Sequence, residues 1–333
     1  MRKLILQVFN KFEIVIPVAS WHVWSLPLLI NSIKKNINPE RIIIVTSDNN
    51  IKKISNLLNV SNLVIKDENT LFPDLTRNQI STVISNINNC GKRSNWYFQQ
   101  FIKMAYAFEA SFDNYLVWDA DTFPLKPLNF WENKKYLFSI SDEFWKPYFE
   151  TINRLFNGKV SKKVSSSFIT EHMMINKHIM RSMIKDIENN DRLKGQVFYE
   201  KILYAINSND ICFSGFSEFE TFGNYAMSNF ANSITLMRRE RLRYGSLYIK
   251  NNWLKQSTLD WIKGSYEIVC FESRDELSLP FHVEFYLWMI QKTKIFHFKR
   301  YKRIVDKILN NRVYLKDKNI IFKIRFYVRG VRN

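Results

Sequence analysis

The chain has 333 residues, 46% hydrophobic and 15% aromatic, a composition that excludes disorder for most of its length. Its formal net charge of +18 favours anionic partners, and two thirds of that excess is concentrated between Gln291 and Asn333, where fourteen Lys or Arg face only Asp306 and Asp317. Three cysteines, Cys90, Cys212 and Cys270, show no paired spacing, so neither a disulfide framework nor a zinc site is expected and a reducing cytosol fits.

The first residues are basic and apolar, but Lys11 and Glu13 interrupt the run before it reaches signal or membrane-spanning length. It reads as the approach to a strand, Phe12 to Val18. Helical spacing follows over Trp21 to Ile37, then a second strand, Arg41 to Ser47. Strand, helix, strand implies a right-handed crossover and a parallel sheet, and the loop after its first strand lies at the carboxyl edge, where open α/β sheets bind ligands. A helix over Ile51 to Leu58 and an extended run over Asn62 to Lys66 continue the pattern, and the Asn-rich stretch Ser85 to Cys90 reads as a loop. No repeat and no Gly-rich phosphate loop is present.

A helix is expected from Ser94 or Asn95 to Phe108. Phe98, Phe101, Ile102, Ala105 and Phe108 share one stripe, leaving Gln99 and Lys103 together on another. A core helix with solvated polar residues accounts for that pattern. Its place just before the next strand equally makes Arg93, Gln100 and Lys103 contacts for a phosphate or a sugar.

That next strand, Tyr115 to Trp118, ends in Asp119-Ala-Asp121-Thr-Phe-Pro124. An apolar strand has little use for two carboxylates unless a cation sits between them. In an extended segment both would point the same way and reach one divalent ion, and hard oxygen donors select Mg²⁺ or Mn²⁺. Pro124 and Pro127 stop the strand. Capping of a turn or helix is the alternative use of such a triplet. An aspartyl phosphatase of the haloacid-dehalogenase type is another, disfavoured because Phe123 stands where that motif wants Thr or Val.

Beyond the aspartates, Trp131, Phe138, Phe144, Trp145 and Tyr148 suit either a core or the faces of sugar rings. Ser165 to Asn176 reads as a strand with a polar insertion at Glu171 and His172. Helices are expected over Lys177 to Asn189 and Gln196 to Asn207. Glu218 and Glu220 then stand among aromatics, where raised pKa values would suit proton acceptors, or where they would serve only as helix N-terminal carboxylates.

Four blocks, W-Y-x-Q-Q-F-x-K at Trp96 to Lys103, L-V-W-D-A-D-T at Leu116 to Thr122, E-H-M at Glu171 to Met173 and F-S-E-x-E-T-x-G at Phe216 to Gly223, together resemble bacterial GT-A-type glycosyltransferases of surface-polysaccharide gene clusters, over roughly residues 10 to 230. The resemblance implies an α/β, Rossmann-like GT-A fold with a mostly parallel central sheet, a divalent metal on Asp119 and Asp121, and a nucleotide-sugar donor, a UDP-sugar first among them. By motif position it puts Glu218 or Glu220 near the acceptor; donor contacts are expected from Arg93, Gln100, Lys103, Trp118 and His172. A late His often completes such metal sites; His297 is the first choice here and His282 the alternative. If the reaction inverts the anomeric centre, Glu218 is the first candidate base and Glu220 the second.

The expected division is a GT-A domain over 1–290, with a nucleotide-binding half over 1–118 and an acceptor half over 119–290, followed by a basic amphipathic segment over 291–333. In that segment Ile304, Ile308, Leu309 and later apolar residues alternate with Lys and Arg, which suits docking on an anionic membrane surface. The expectation is therefore a metal-dependent glycosyltransferase, peripheral on the inner face of the cytoplasmic membrane, acting on a glycan or lipid-linked, lipopolysaccharide-type acceptor. A noncatalytic nucleic-acid-binding protein is the rival reading, but no recognisable nucleic-acid module is present, so no nucleic-acid partner is expected.

Overall fold

The computed structural model describes residues 11–88, 93–272 and 281–312. Its strands in chain order are β1 (Phe12–Val18), β2 (Arg41–Thr46), β3 (Leu63–Asp67), β4 (Asn114–Trp118), β5 (Thr122–Pro124), β6 (Trp131–Glu132), β7 (Lys135–Ser139), β8 (His172–Asn176), β9 (Ile234–Met237), β10 (Arg241–Leu242) and β11 (Ile268–Cys270). The chain forms two compact units, both discontinuous in sequence. One comprises the residues up to Trp24, Pro39–Ala120 and Asn129–Arg238; the other comprises Ser25–Asn38, Asp121–Leu128 and the residues from Arg239 on.

The first unit is α/β. Its five-stranded sheet has the order β3-β2-β1-β4-β8, parallel throughout except for β4 against β8. Every residue of β1 is buried, which is why Phe12 to Val18 is continuously apolar apart from Glu13. Glu13 accepts a hydrogen bond from the Ser111 amide at 2.7 Å. Chain order reverses at β1, with β2 on one side and β4 on the other, so the carboxyl ends of β1 and β4 flank a topological switch point. A second sheet, β6-β7-β9, belongs to the same unit.

Several sequence expectations are refined by this unit. The Ser85 to Cys90 loop is corrected at its start, because helix Arg77–Ile87 runs through Ser85, capped by Thr76, whose hydroxyl accepts from the Gln79 amide at 3.2 Å. Helix Ser94–Ala105 begins where expected and buries Phe98, Phe101 and Ile102, but it also buries Lys103 and leaves Phe108 exposed. Only His172–Asn176 of the expected strand from Ser165 is extended in the sheet. The segment before it is instead held to helix Glu218–Phe230 through Glu220. Cys212 is disulfide-bonded, contrary to the expectation of no disulfide, while Cys270 is a buried thiol. The bond removes the cysteine argument for a reducing compartment. Cys90 lies outside the described residues.

In the second unit the small sheet β10-β11-β5 pairs Val269 with Phe123 antiparallel. Helix Leu26–Asn36 anchors β5: the Asn36 amide donates to the Pro124 carbonyl at 2.8 Å, and the Ser32 hydroxyl donates to the same oxygen. The helical stretch expected from Trp21 is two elements, a 3-10 turn Ser20–Ser25 and this α-helix. Pro27 supplies the reason, since it is favoured in a first helical turn and unfavourable further in. Helix Phe298–Arg312 lays Phe298, Tyr301 and Val305 inward, with the Phe298 and Tyr301 rings 5.1 and 5.0 Å from Trp261. Ile304, Ile308 and Leu309, read from sequence as membrane-inserting, are half-buried. The remainder of the basic segment, from Val313, lies outside the described residues. Among the described residues no helix is long and apolar enough to cross a membrane.

Candidate functional site

Three elements of the first unit converge on one ammonium group. Helix Ser94–Ala105 carries Lys103 on a turn pinned by the Tyr115 hydroxyl, which donates to the Lys103 carbonyl at 3.0 Å. Its Nζ lies 2.6 Å from Asp119 Oδ1, at the end of β4, and 2.7 Å from Glu218 Oε1, in the first turn of helix Glu218–Phe230. Lys103 and Glu218 are each 4% exposed, whereas the Asp119 side chain keeps 25% of its surface. A buried lysine is tolerated only with such partners. Burial alone would lower its pKa, but the two carboxylates outweigh that and hold it well above the ordinary lysine value. Glu218 is pushed up by burial and by Asp119, against the opposing pull of Lys103.

Asp119 is fixed through its backbone as well, its amide donating to the Glu171 carbonyl at 3.0 Å. The extended geometry expected for the Asp-Ala-Asp triplet stops at Trp118, and residues 119–121 pass through a turn before β5. The period-two argument that would aim both carboxylates one way therefore does not apply here. Asp121 Oδ1 accepts from the Thr122 hydroxyl at 3.2 Å and weakly from the Cys270 thiol at 3.4 Å, and its carbonyl accepts from the Phe271 amide at 2.8 Å. It is partly exposed.

The other expected site residues divide by surroundings. The Gln100 side-chain oxygen accepts from the Glu218 amide at 3.1 Å, so it caps the helix that carries Glu218. Trp118 is fully buried beneath the His172 imidazole, ring centres 4.9 Å apart, and His172 Nε2 meets Ser139 Oγ at 3.1 Å. This pair forms the wall behind the end of β4. Arg93 lies over the Trp96 ring at 5.1 Å and reaches Ser214 Oγ at 3.4 Å. Glu220 accepts from the Ser167 hydroxyl, from the Phe168 amide at 3.1 Å and, through its other oxygen, from Asn224 at 3.0 Å. It occupies the third position of a helix capped by Ser217, yet its carboxylate ties down the preceding segment instead of closing a capping box. In the second unit His297 is exposed, with Nδ1 3.5 Å from Ser265 Oγ. His282 falls in helix Phe281–Thr293.

Sequence reasoning missed His22. It stands in the 3-10 turn after β1, where its pKa is lowered by burial against an opposing pull from Asp119, so it is within electrostatic reach of the strand end. The signal available was its position, since the loop following the first parallel strand is where ligands approach. Trp21 and Trp24 beside it are exposed, 61% and 51%.

Asp119 suits a divalent cation by a direct observation: its Oδ1 already carries a cation, the Lys103 ammonium, while the side chain stays partly open amid buried neighbours. Among the described residues no three His, Cys, Asp or Glu side chains are gathered so as to hold a metal. Any ion there would take its remaining ligands from substrate or water, the habit of Mg²⁺ and Mn²⁺ at diphosphates.

Within the first unit, residues from each of the four blocks meet. Lys103 of the first meets Asp119 of the second and Glu218 of the fourth, and the Glu171 carbonyl of the third receives the Asp119 amide. A model of a family described as a family of unknown function, DUF6492, matches residues 10–244. No curated protein matches the sequence. Among solved structures, the galactosyltransferase LgtC, crystallised with donor and acceptor sugar analogs, is similar at 10% identity over 78% of this chain and 87% of its own, with a TM-score of 0.36.

Proposed function

Because the chain belongs to this family of unknown function, whose description supplies no activity, we propose its chemistry from the site: a metal-dependent glycosyltransferase moving a sugar from a nucleotide-diphosphate donor to a hydroxyl. The observation that carries the reading is the Lys103 ammonium bridging Asp119 and Glu218 at the carboxyl end of β4, next to the switch point. A pre-set, net negative cluster of one ammonium and two carboxylates at that position is suited to recruiting a cation that an anionic donor would share.

A Mn²⁺ or Mg²⁺ ion held by Asp119, with its other ligands from substrate and water, would supply Lewis-acid neutralisation of the diphosphate as it leaves. The chain's own residues supply the rest. Asp119 is kept in one orientation by Lys103 and by its backbone bond to Glu171, which lowers the reorganisation needed at the moment of transfer. Lys103 remains protonated and contributes fixed positive charge beneath the strand end. Arg93 is the second candidate cation for the donor. Trp118 and His172 form an apolar, water-excluding wall. In transfer the acceptor oxygen bonds to the anomeric carbon as the carbon–oxygen bond to phosphate breaks. With inversion, Glu218, whose pKa is raised, takes the acceptor proton.

The donor is a nucleotide sugar, a UDP-sugar first, and the acceptor a glycan or lipid-linked oligosaccharide at an anionic membrane surface. That last part draws support from exposed Phe285, Tyr286, Met289 and Ile295, close in sequence to Lys292, Lys299 and Arg300. Donor turnover is tested by incubating the full chain with UDP-, GDP- and CMP-sugars and Mn²⁺, following nucleotide release. Asp119→Asn should lower turnover by about 10²-fold or more. Turnover equal to wild type in this variant refutes the metal assignment.

A further inference from the structure

We propose that Lys103 is a resident counter-ion that weakens the binding of a bare divalent cation at Asp119, so that metal is held tightly only together with an anionic ligand. This rests on the reading of Asp119 as a metal ligand and concerns how that ligand is regulated. The Lys103 ammonium occupies Asp119 Oδ1 at 2.6 Å and cannot swing into solvent without leaving Glu218 unpaired in a buried position. It is held further by Phe219, whose ring centre is 4.7 Å from Nζ, and by Tyr115 on its backbone carbonyl. An incoming cation therefore meets a carboxylate whose charge is already half-answered, with a fixed positive charge behind it. Coulomb repulsion at such separations, at reduced dielectric, is comparable to the attraction that one carboxylate offers. A diphosphate adds negative charge on the open side of Asp119 and tips the balance toward binding.

Glu218 sets the strength of this effect, because it shares the ammonium with Asp119. Neutralising Glu218 leaves Lys103 wholly to Asp119 and removes one negative charge nearby, so bare metal should bind more weakly. Removing Lys103 and Glu218 together leaves the local net charge the same but deletes the nearer, repelling member. Bare metal should then bind more tightly. The double variant also avoids stranding a buried carboxylate, so it folds where Lys103→Met alone is at risk.

The test is calorimetric titration of the full chain with MnCl₂ alone, and again with UDP present, for wild type, Glu218→Gln and Lys103→Met/Glu218→Gln, each first checked by circular dichroism. Opposite shifts are expected for bare Mn²⁺: about tenfold weaker in Glu218→Gln and about tenfold tighter in the double variant, with the gain from UDP largest in wild type and smallest in the double variant. General loosening of the site would weaken both variants and cannot produce a change of sign. Shifts in the same direction, or none, overturn the counter-ion proposal while leaving Asp119 as a ligand. Absence of Mn²⁺ binding in wild type, with and without UDP, overturns the metal reading itself and the proposal with it.

Discussion

Replacing Lys103 by Met removes the cation that Asp119 and Glu218 share, and the structure sets the size of the effect. Glu218 is 4% exposed and Lys103 is its charged partner at 2.7 Å, so the variant leaves a buried carboxylate uncompensated. Breaking one side of such a pair costs about 3–5 kcal/mol, a large part of the about 5–15 kcal/mol that holds an ordinary domain folded. Asp119 adds little to this loss, because it keeps a quarter of its surface in water. The pH dependence has a definite sign. Burial already raises the Glu218 pKa above 4.5, and losing Lys103 removes an interaction that lowers it, so the folded-state value rises further. A raised folded value gives stability that is present below the unfolded pKa and lost as pH rises through the folded one. The deficit of Lys103→Met relative to wild type should therefore be largest at pH 8 and shrink toward pH 5. Urea unfolding followed by circular dichroism at several pH values measures it, with Lys103→Met/Glu218→Gln expected to recover most of the loss. A deficit under about 0.5 kcal/mol at pH 8, or a double variant as costly as the sum of its parts, refutes the argument that this is a buried, coupled pair.

Three further outcomes are expected. A Cβ on Gly223 would lie 2.4 Å from the Phe168 ring, so Gly223→Ala should cost about 1–3 kcal/mol by overpacking, measured by thermal unfolding, and Phe168→Leu in the same chain should return part of it. The folded pKa of His22 is lowered from 6.5, chiefly by burial, so its contribution to stability is present above that value and lost as pH falls. His22→Gln should accordingly narrow the stability difference between pH 7.5 and pH 5.5, and an unchanged difference refutes the assignment. Phe285→Ser/Tyr286→Ser/Met289→Ser should reduce flotation with phosphatidylglycerol-containing vesicles by at least about tenfold, since three exposed apolar side chains are removed from the proposed docking surface. Retained flotation would reject that surface.

The sequence by itself determined the elements whose signals are local. Continuous burial on both faces made β1 and β2 legible as apolar β-branched runs, and the abrupt change from Trp118 to Asp119 marked the end of β4. Helix Ser94–Ala105 was legible because its aromatic residues recur at helical spacing. What the tertiary structure alone decided depends on partners far apart in the chain. Lys103, read as a polar residue outside the apolar stripe, is buried because Glu218, 115 residues later, meets it. Gln100, read as a phosphate contact, caps a helix that begins 118 residues further on, and Glu220 is spent on Ser167 and Phe168. The assignment of Asp119 and Asp121 to different compact units leaves no mark on local spacing either. Periodicity and turn chemistry are written in neighbouring residues, whereas the charge state and burial of a side chain are set by whatever the folded chain brings against it.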